Sequence, residues 1–431
     1  MIAKNRGRIL LVVAMAVVAP TLGWGSGFAL FEVGGRAGAM AGAMTAVADD
    51  PSALFWNPAG MAFQTNDGIK LMFGTTLISP EQSFTGMSPY PGDGYTADQV
   101  EQLFYPVHLY LGIPVNDRLE VSFSLMNSWG LGTEWEDDFL GRYISKKADL
   151  IVFDVGVSMA YQLSDNVAFG IGVDYMTATI ELTRNVGLIN PFNQRLTDVA
   201  ETHLKSDGIN SAWAWNAGLL WKLGAGFQLG ASYRSEFTVN GEGTGRFSQV
   251  PTGYPEFDAL LGTFLPFDED LPITASIAFP DFWNVGLSWQ NEKWTVSGQY
   301  GVMGWSAYQE LPIIFPENPE FSTVIEENYE DAAQWRIGAE FRANQRWALQ
   351  LGYLFDETGQ PVESMSPLLG DGDRTAYTGG ISYHTDRFRF DLGLEHVKTA
   401  ARSTGGNQNE GFDGTYEGSS PIVHLSFTIK F

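Results

Sequence analysis

Beyond residue 68 the chain alternates apolar and polar residues with a period of two. That is the repeat of a strand with one face to an apolar medium and the other to a polar one. Over 387–397, Phe388, Phe390, Leu392 and Leu394 share a face, opposed by Arg389, Asp391, Gly393 and Glu395. Over 150–162, Ile151, Phe153, Val155, Val157, Met159 and Tyr161 oppose Asp154, Gly156, Ser158 and Gln162. The last stretch sets Val423, Leu425, Phe427, Ile429 and Phe431 against His424, Ser426, Thr428 and Lys430. A water-soluble sandwich alternates too, so the connections decide. Tight turns fall at 114–118, 163–166, 223–226, 290–293, 343–346 and 384–387, and long polar loops at 79–103, 131–149, 185–208, 241–271, 306–331, 357–374 and 398–419. Short and long connections alternate strictly, as in outer-membrane barrels with brief periplasmic turns and longer external loops. Six turns and seven loops predict fourteen strands. Pro280 lies within 272–290; splitting there would give an odd number and leave the C-terminus outside, so this stretch reads as one long strand kinked at Pro280, a residue tolerated at an edge or a bulge. The expected fold is all-β, a fourteen-stranded antiparallel transmembrane barrel over 67–431.

Residues 26–66 lack this pattern. The run Gly35–Met44 is made of small residues. It lacks the Gly-Lys-Ser/Thr ending and the preceding strand of a phosphate loop, and reads instead as part of a plug, or hatch, of short helices inside the lumen. Asp49-Asp50-Pro51 favours a helix start at Ser52, and Asn57-Pro58 would end it. Residues 1–25 read as a signal peptide: Lys4, Arg6 and Arg8 precede an apolar run, Ile9 to Ala19, and Gly23-Trp24-Gly25 is a small-x-small cleavage pattern that puts the mature start at Ser26. The rival reading, an uncleaved anchor helix, suffers because the run falls below the ~20 residues a span needs. No later segment approaches that length, so a mature chain in a membrane must cross it as strands.

Composition sharpens this picture. Charged residues are 17% of the chain, aromatics 13%, and mean hydropathy is −0.08. A soluble protein would carry more charge and a helical membrane protein more apolar surface; in a barrel, lipid-facing and lumen-facing positions cancel. The formal net charge of −25 argues against nucleic acid and reads as hydrophilic external loops. Cysteine is absent, which removes disulfides, thiolate metal sites, thiol nucleophiles and a lipid-anchored N-terminus. No metal spacing and no nucleotide site stand out, so no metal, cofactor or catalytic residue is expected. His108, His203, His384, His396 and His424 are scattered without a motif, whereas a lipid hydrolase needs a serine–histidine pair. Trp129, Trp135, Trp283, Trp294, Trp305, Trp335 and Trp347 sit near strand ends, as interface girdles would, with core packing the alternative for each. Phe431, ending an alternating strand, resembles the signal read by barrel-assembly machinery.

Several blocks carry a more specific resemblance. Ser-Gly-Phe-Ala-Leu-Phe-Glu at 26–32, Ala-Asp-Asp at 48–50 and Asn-Pro-Ala-Gly-Met at 57–61 are similar to the hatch of the FadL family of long-chain fatty acid and aromatic-hydrocarbon transporters. The blocks at 127–135, 215–218, 232–236, 280–283, 305–306 and 336–340 resemble successive strands of that family, in order along the mature chain. The resemblance implies a hatch-closed fourteen-stranded barrel with a kink in its third strand that opens the wall sideways. Strand 119–131 carries its own hint. Its outward set runs Leu119, Val121, Phe123, Leu125 and then Asn127; an amide facing lipid is costly, and Gly130 and Gly132 favour a bend. Either the pleat breaks there or the strand tip has reached the interface. By resemblance, Ser26, Gly27 and Phe28 line the ligand pocket, Asn57, Pro58 and Ala59 form the hatch turn, and Asn127, Trp129 and Gly130 mark the lateral opening. Arg184 and Arg336 are candidates to meet a fatty acid carboxylate, although a lumen arginine more often pairs with an acid such as Glu340, and 326–331 is acidic. The expected function is passive uptake of fatty acids or hydrocarbons by a monomer among outer-membrane lipids and lipopolysaccharide. A general diffusion porin and an outer-membrane lipid hydrolase are the alternatives.

Overall fold

The computed structural model describes residues 27–431; the predicted signal peptide, its cleavage at Gly25, and Ser26 lie outside the described residues. Among these residues the wall is a closed antiparallel barrel of fourteen strands. In chain order they are β1 Lys70–Ile78, β2 Val107–Asn116, β3 Leu119–Glu134, β4 Lys147–Gln162, β5 Val167–Ile189, β6 Asn210–Gly224 and β7 Phe227–Arg234. They continue as β8 Phe282–Gln290, β9 Trp294–Met303, β10 Ala332–Arg342, β11 Trp347–Asp356, β12 Arg374–His384, β13 Phe388–Ser403 and β14 Gly414–Lys430. β1 closes the ring, running from Lys70 opposite Lys430 to Ile78 opposite Ile422, with β2 on its other side. No described helix is long and apolar enough to cross a membrane. The alternation has a direct structural meaning on β4: Phe153, Val155, Val157 and Met159 are exposed outward, while Asp154 and Ser158 are buried in the lumen.

The stretch around Pro280 differs from the expected single kinked strand. The chain breaks at Pro280-Asp281, separating Asp270–Phe279 from β8, and its partner breaks at Ser235-Glu236, separating β7 from Phe237–Gln249. The hairpin stays in register across both breaks, with Arg234 opposite Phe282 and Phe237 opposite Phe279. Proline has no N–H to give a ladder, so both arms are interrupted at one level and the wall count is unchanged. Above the breaks the two arms change neighbours. Phe237–Gln249 pairs with Leu196–Ser206, and Asp270–Phe279 with Glu310–Ile314, which pairs in turn with Thr323–Glu326. The long connections expected to be polar loops therefore build a second tier of sheet. Val199, Leu204, Phe247, Leu311, Ile313 and Phe315 are buried within it, and these apolar positions hold the connections together over the lumen.

The hatch fills the barrel with short helices, Gly35–Ala39 and Ala53–Trp56, and 3-10 turns Pro58–Phe63 and Thr65–Asp67. Asp50 fixes the approach to the second helix, its Oδ1 accepting the N–H of Ser52, the residue before the helix, at 3.0 Å. So little regular structure leaves many backbone groups unpaired, and wall side chains take them up. Tyr110 Oη donates to Val33 O, Thr378 Oγ1 to Ala39 O, Ser288 Oγ to Ala46 O, and Gln299 Oε1 accepts from Thr45 N, all at 2.8–3.1 Å. Close seating needs bare wall positions: a Cβ on Gly352 would lie 2.7 Å from Ala41 N, and one on Gly338 2.6 Å from Met40 O. These are backbone atoms, which no rotamer change can move aside. Gly352→Leu is therefore expected to lift the hatch, at a cost of ~1–3 kcal/mol or more from overpacking. The variant should still form a heat-modifiable barrel but show raised ion conductance in planar bilayers. Unchanged conductance would show that the hatch does not depend on this contact.

Candidate functional site

Arg36 and Asn57 add to the wall contacts that hold the hatch. Arg36, buried in the first hatch helix, donates from Nε to Glu340 Oε2 on β10 at 2.7 Å and from Nη1 to Asp49 and Asp50 of the hatch itself. Asn57 works where the second helix ends. Its Oδ1 accepts from Ala59 N at 3.2 Å, capping the turn that begins at Pro58. Its Nδ2 donates to Thr45 O in the hatch at 2.8 Å and to Leu219 O on β6 at 3.0 Å. One amide thus shapes the hatch turn and moors it to the wall.

At the other end of the hatch, Phe28 sits in an aromatic nest. Its ring centroid lies 4.8 Å from Trp305, 5.4 Å from Tyr308, 5.6 Å from Phe279 and 6.0 Å from Trp129. Gly27 before it has φ 46° and backs onto Trp305 so closely that a Cβ would fall 2.5 Å from that ring, so glycine is required on both counts. Asp371 Oδ2 accepts the Gly27 N–H at 2.9 Å, and Arg374 donates to Gly27 O at 2.8 Å. The same segment touches the wall at an irregular point. The β3–β4 register shifts between Met126 and Trp129, and pairing of β3 with β2 ends at Met126 opposite His108. Asn127 lies buried there: its Oδ1 accepts from Val107 N on β2 at 3.0 Å and its Nδ2 donates to Val152 O on β4 at 2.8 Å. Beyond it the hatch takes over as the partner of β3. Leu30 N donates to Ser128 O and Gly130 N to Phe28 O, both at 3.0 Å.

Two cavities adjoin this region and share Leu182 and Leu368 in their linings. The inner one, about 40 Å³, is walled by Phe28, Leu131, Leu150, Ile277, Leu311 and Leu369, with Asp149, Glu327, Tyr308 and Tyr329 as its polar members. Glu327 is only 4% exposed, and burial pushes its carboxyl up to about 8. Its Oε1 meets Tyr308 Oη at 3.5 Å. The outer cavity, about 380 Å³, is lined by Arg184 together with Glu326, Glu363 and Glu410.

The predicted positions thus fall in different settings. Gly27, Phe28, Asn127, Trp129 and Gly130 meet at one place, and Asn57, Pro58 and Ala59 form the mooring turn, while Ser26 is outside the described residues. Arg184 is in the outer cavity. Arg336 is packed under the hatch, with its guanidinium 4.4 Å over the Phe31 ring and bonded to Ala41 O and to Asp356 at 3.0 Å. Asp356 is its acidic partner, whereas Glu340 binds Arg36. Of the tryptophans read as girdle residues, Trp129, Trp135 and Trp305 instead point inward and are buried, while Trp283, Trp294 and Trp347 are exposed outward; position near a strand end does not reveal the face once the pleat is irregular. Sequence reasoning missed Asp371, Arg374, Tyr308, Glu327 and Tyr329. Their loops read as generic polar connections, and the only trace was the acidic run containing Glu327. One serine–histidine pair does exist, His108 Nε2 and Ser426 Oγ at 2.9 Å, brought together across β1. Ser426 Oγ already accepts from Gly35 N at 2.6 Å, and His108 Nδ1 has no partner to orient it.

Known proteins share this architecture. The family model described as outer membrane protein transport protein (OMPP1/FadL/TodX) matches residues 16–431. A long-chain fatty acid transport protein of Escherichia coli O6:H1 is 25% identical, covering 98% of each chain, and a 47 kDa outer membrane protein of Pasteurella multocida is 25% identical over 98% of each. Among solved structures, a Pseudomonas aeruginosa FadL homologue aligns with a TM-score of 0.82 at 20% identity, covering 94% of this chain and 100% of that one. The Ralstonia pickettii toluene transporter TbuX aligns with a TM-score of 0.68 at 18% identity, covering 93% and 99%.

The Asn57 mooring is directly testable. Asn57→Ala removes three hydrogen bonds, two within the hatch and one from the hatch to the wall, a loss of roughly 2–3 kcal/mol in the stability of the docked hatch. Hydrogen exchange should show faster exchange of hatch amides with the wall strands unchanged. Equal protection in both proteins would mean the hatch is held elsewhere.

Proposed function

The chain belongs to the OMPP1/FadL/TodX family of outer membrane transport proteins, and from that premise we propose that it carries hydrophobic compounds, fatty acids or hydrocarbons, passively across the outer membrane of a Gram-negative bacterium. Cargo gathers in the outer cavity, passes to the apolar space beside Phe28, and leaves sideways through the wall at the β3 irregularity. Burial of apolar surface at each stage drives transfer, and flow runs down the gradient. Nascent chains reach the membrane through barrel-assembly machinery reading Phe431, and the mature protein works as a monomer among outer-membrane lipids and lipopolysaccharide.

One observation carries this reading: the segment that fills the pocket also closes the wall. Phe28 occupies the aromatic nest, and its own carbonyl, with Leu30 N, bonds the free edge of β3. A ligand that displaces Phe28 therefore releases the Ser128–Gly130 edge, coupling binding to lateral exit. A hatch packed against the wall through Arg36, Asn57 and Arg336 argues against the general diffusion porin.

A bulky residue at Gly130, where a Cβ would already meet Leu30 Cδ1 at 3.0 Å, should obstruct that exit. Gly130→Trp is expected to slow uptake of radiolabelled oleate or toluene into intact cells by about tenfold, a barrier increase of ~1.4 kcal/mol, with normal amounts of folded barrel in the membrane. Uptake at the unsubstituted rate by a correctly inserted variant would rule out this route.

A further inference from the structure

The charge pattern along the proposed path narrows the cargo, an inference that rests on the transport reading above. The inner cavity is lined mostly by apolar side chains, and its charged members, Asp149 and Glu327, are both acidic. In the outer cavity a single arginine, Arg184, shares the lining with three glutamates. The lumen arginines nearest the hatch are already engaged, Arg336 with Asp356 and Arg374 with Asp371. A carboxylate arriving beside Phe28 would lose its hydration with no arginine or lysine in the lining of that cavity to receive it. A pure hydrocarbon fits the walls but leaves a second feature unanswered: Tyr329, 2% exposed and lining the cavity, has a hydroxyl with no hydrogen-bond partner. A buried unpaired hydroxyl is unfavourable. Its ring lies 5.1 Å from that of Tyr308, whose own hydroxyl reaches Glu327.

We propose that this cavity recognises hydrophobic molecules with an uncharged hydroxyl head group, long-chain alcohols or phenols, in preference to carboxylate anions. Tyr329 Oη donates to the head-group oxygen, and a Glu327 carboxyl oxygen accepts the head-group hydrogen. A hydroxyl both gives and takes a hydrogen bond, so it satisfies the two side chains together; a carboxylate only accepts, and an alkane does neither. Burial keeps a large share of Glu327 neutral near pH 7, and its carbonyl oxygen accepts in that state as well.

The test is equilibrium binding of radiolabelled hexadecanol, hexadecanoate and hexadecane to the full-length protein in lipid nanodiscs at neutral pH, with empty nanodiscs subtracted. Hexadecanol is expected to bind about tenfold tighter than either of the others, the worth of one well-made buried hydrogen bond. Tyr329→Phe, which removes the donor, and Glu327→Leu, which removes the acceptor, should each remove most of that advantage. Resistance of each variant to unfolding in cold detergent separates a lost head-group contact from a lost fold. Hexadecanoate or hexadecane binding as tightly as hexadecanol to the unsubstituted protein overturns the proposal while leaving transport intact. So does an undiminished advantage in folded Tyr329→Phe. Failure of all three ligands to bind saturably would instead strike the transport reading itself.

Discussion

A backbone N–H or C=O in hydrocarbon has no water to bond, and leaving it unpaired costs several kcal/mol. The pairing of Lys70–Ile78 with Lys430–Ile422 is the answer to that constraint, because it joins the first wall strand to the last and abolishes the sheet's edges. Everything else follows from the closed ring. Alternate side chains must face lipid, so the others must face inward, and a lumen lined by Asp154, Glu340, Gln299 and Ser288 is the result. Such a lumen would be a water-filled pore if left empty. Here it supplies the hydrogen-bond partners for a hatch too irregular to satisfy itself.

The same constraint explains why the wall's irregular point matters. Beyond Met126, β3 loses β2 as a neighbour, and its exposed backbone groups need partners. Asn127 spans the fault with its amide, and residues 28–30 of the hatch serve the edge above it. A wall completed by a plug is less permanent than a wall completed by a strand. The segment involved is short, and its anchor is a cluster of aromatic contacts plus the grip of Asp371 and Arg374 on Gly27. Those aromatic contacts are of the kind a hydrophobic ligand reproduces, and the proposed transport route rests on that likeness.

Electrostatics divides the lumen into two regions. On the hatch side, arginines and carboxylates are matched pair by pair: Arg36 with Glu340, Arg234 with Asp154 and Asp174, Arg336 with Asp356. Removing one partner of such a buried pair would strand the other charge, so these groups hold structure and are poorly suited to meet cargo. Toward the outside, around Glu326, Glu327, Glu363 and Glu410, acids outnumber bases. That imbalance, not the total charge of the chain, is what an incoming head group would meet.

The period-two alternation, the alternating connection lengths and the small-residue run at 35–44 were enough to derive a fourteen-stranded barrel with a plug, since each reflects a local rule of the backbone or of its two solvents. Asn57-Pro58 as the end of a hatch helix was legible for the same reason. The neighbours of side chains were not. Glu340 stands four residues from Arg336, yet Asp356 binds it, because the sheet sets β11 beside β10. Trp305 near a strand end suggested a lipid girdle and lies wholly inside, because the chain turns inward after β9. Glu327 and Tyr329 looked like members of a solvated loop. Only the folding of that connection over the lumen buries them, beside Trp305 and Tyr308, which pack in turn on Phe28 from the far end of the chain. Periodicity along a chain determines which way each residue faces; which residues meet across the barrel is decided by closure, and no local pattern encodes it.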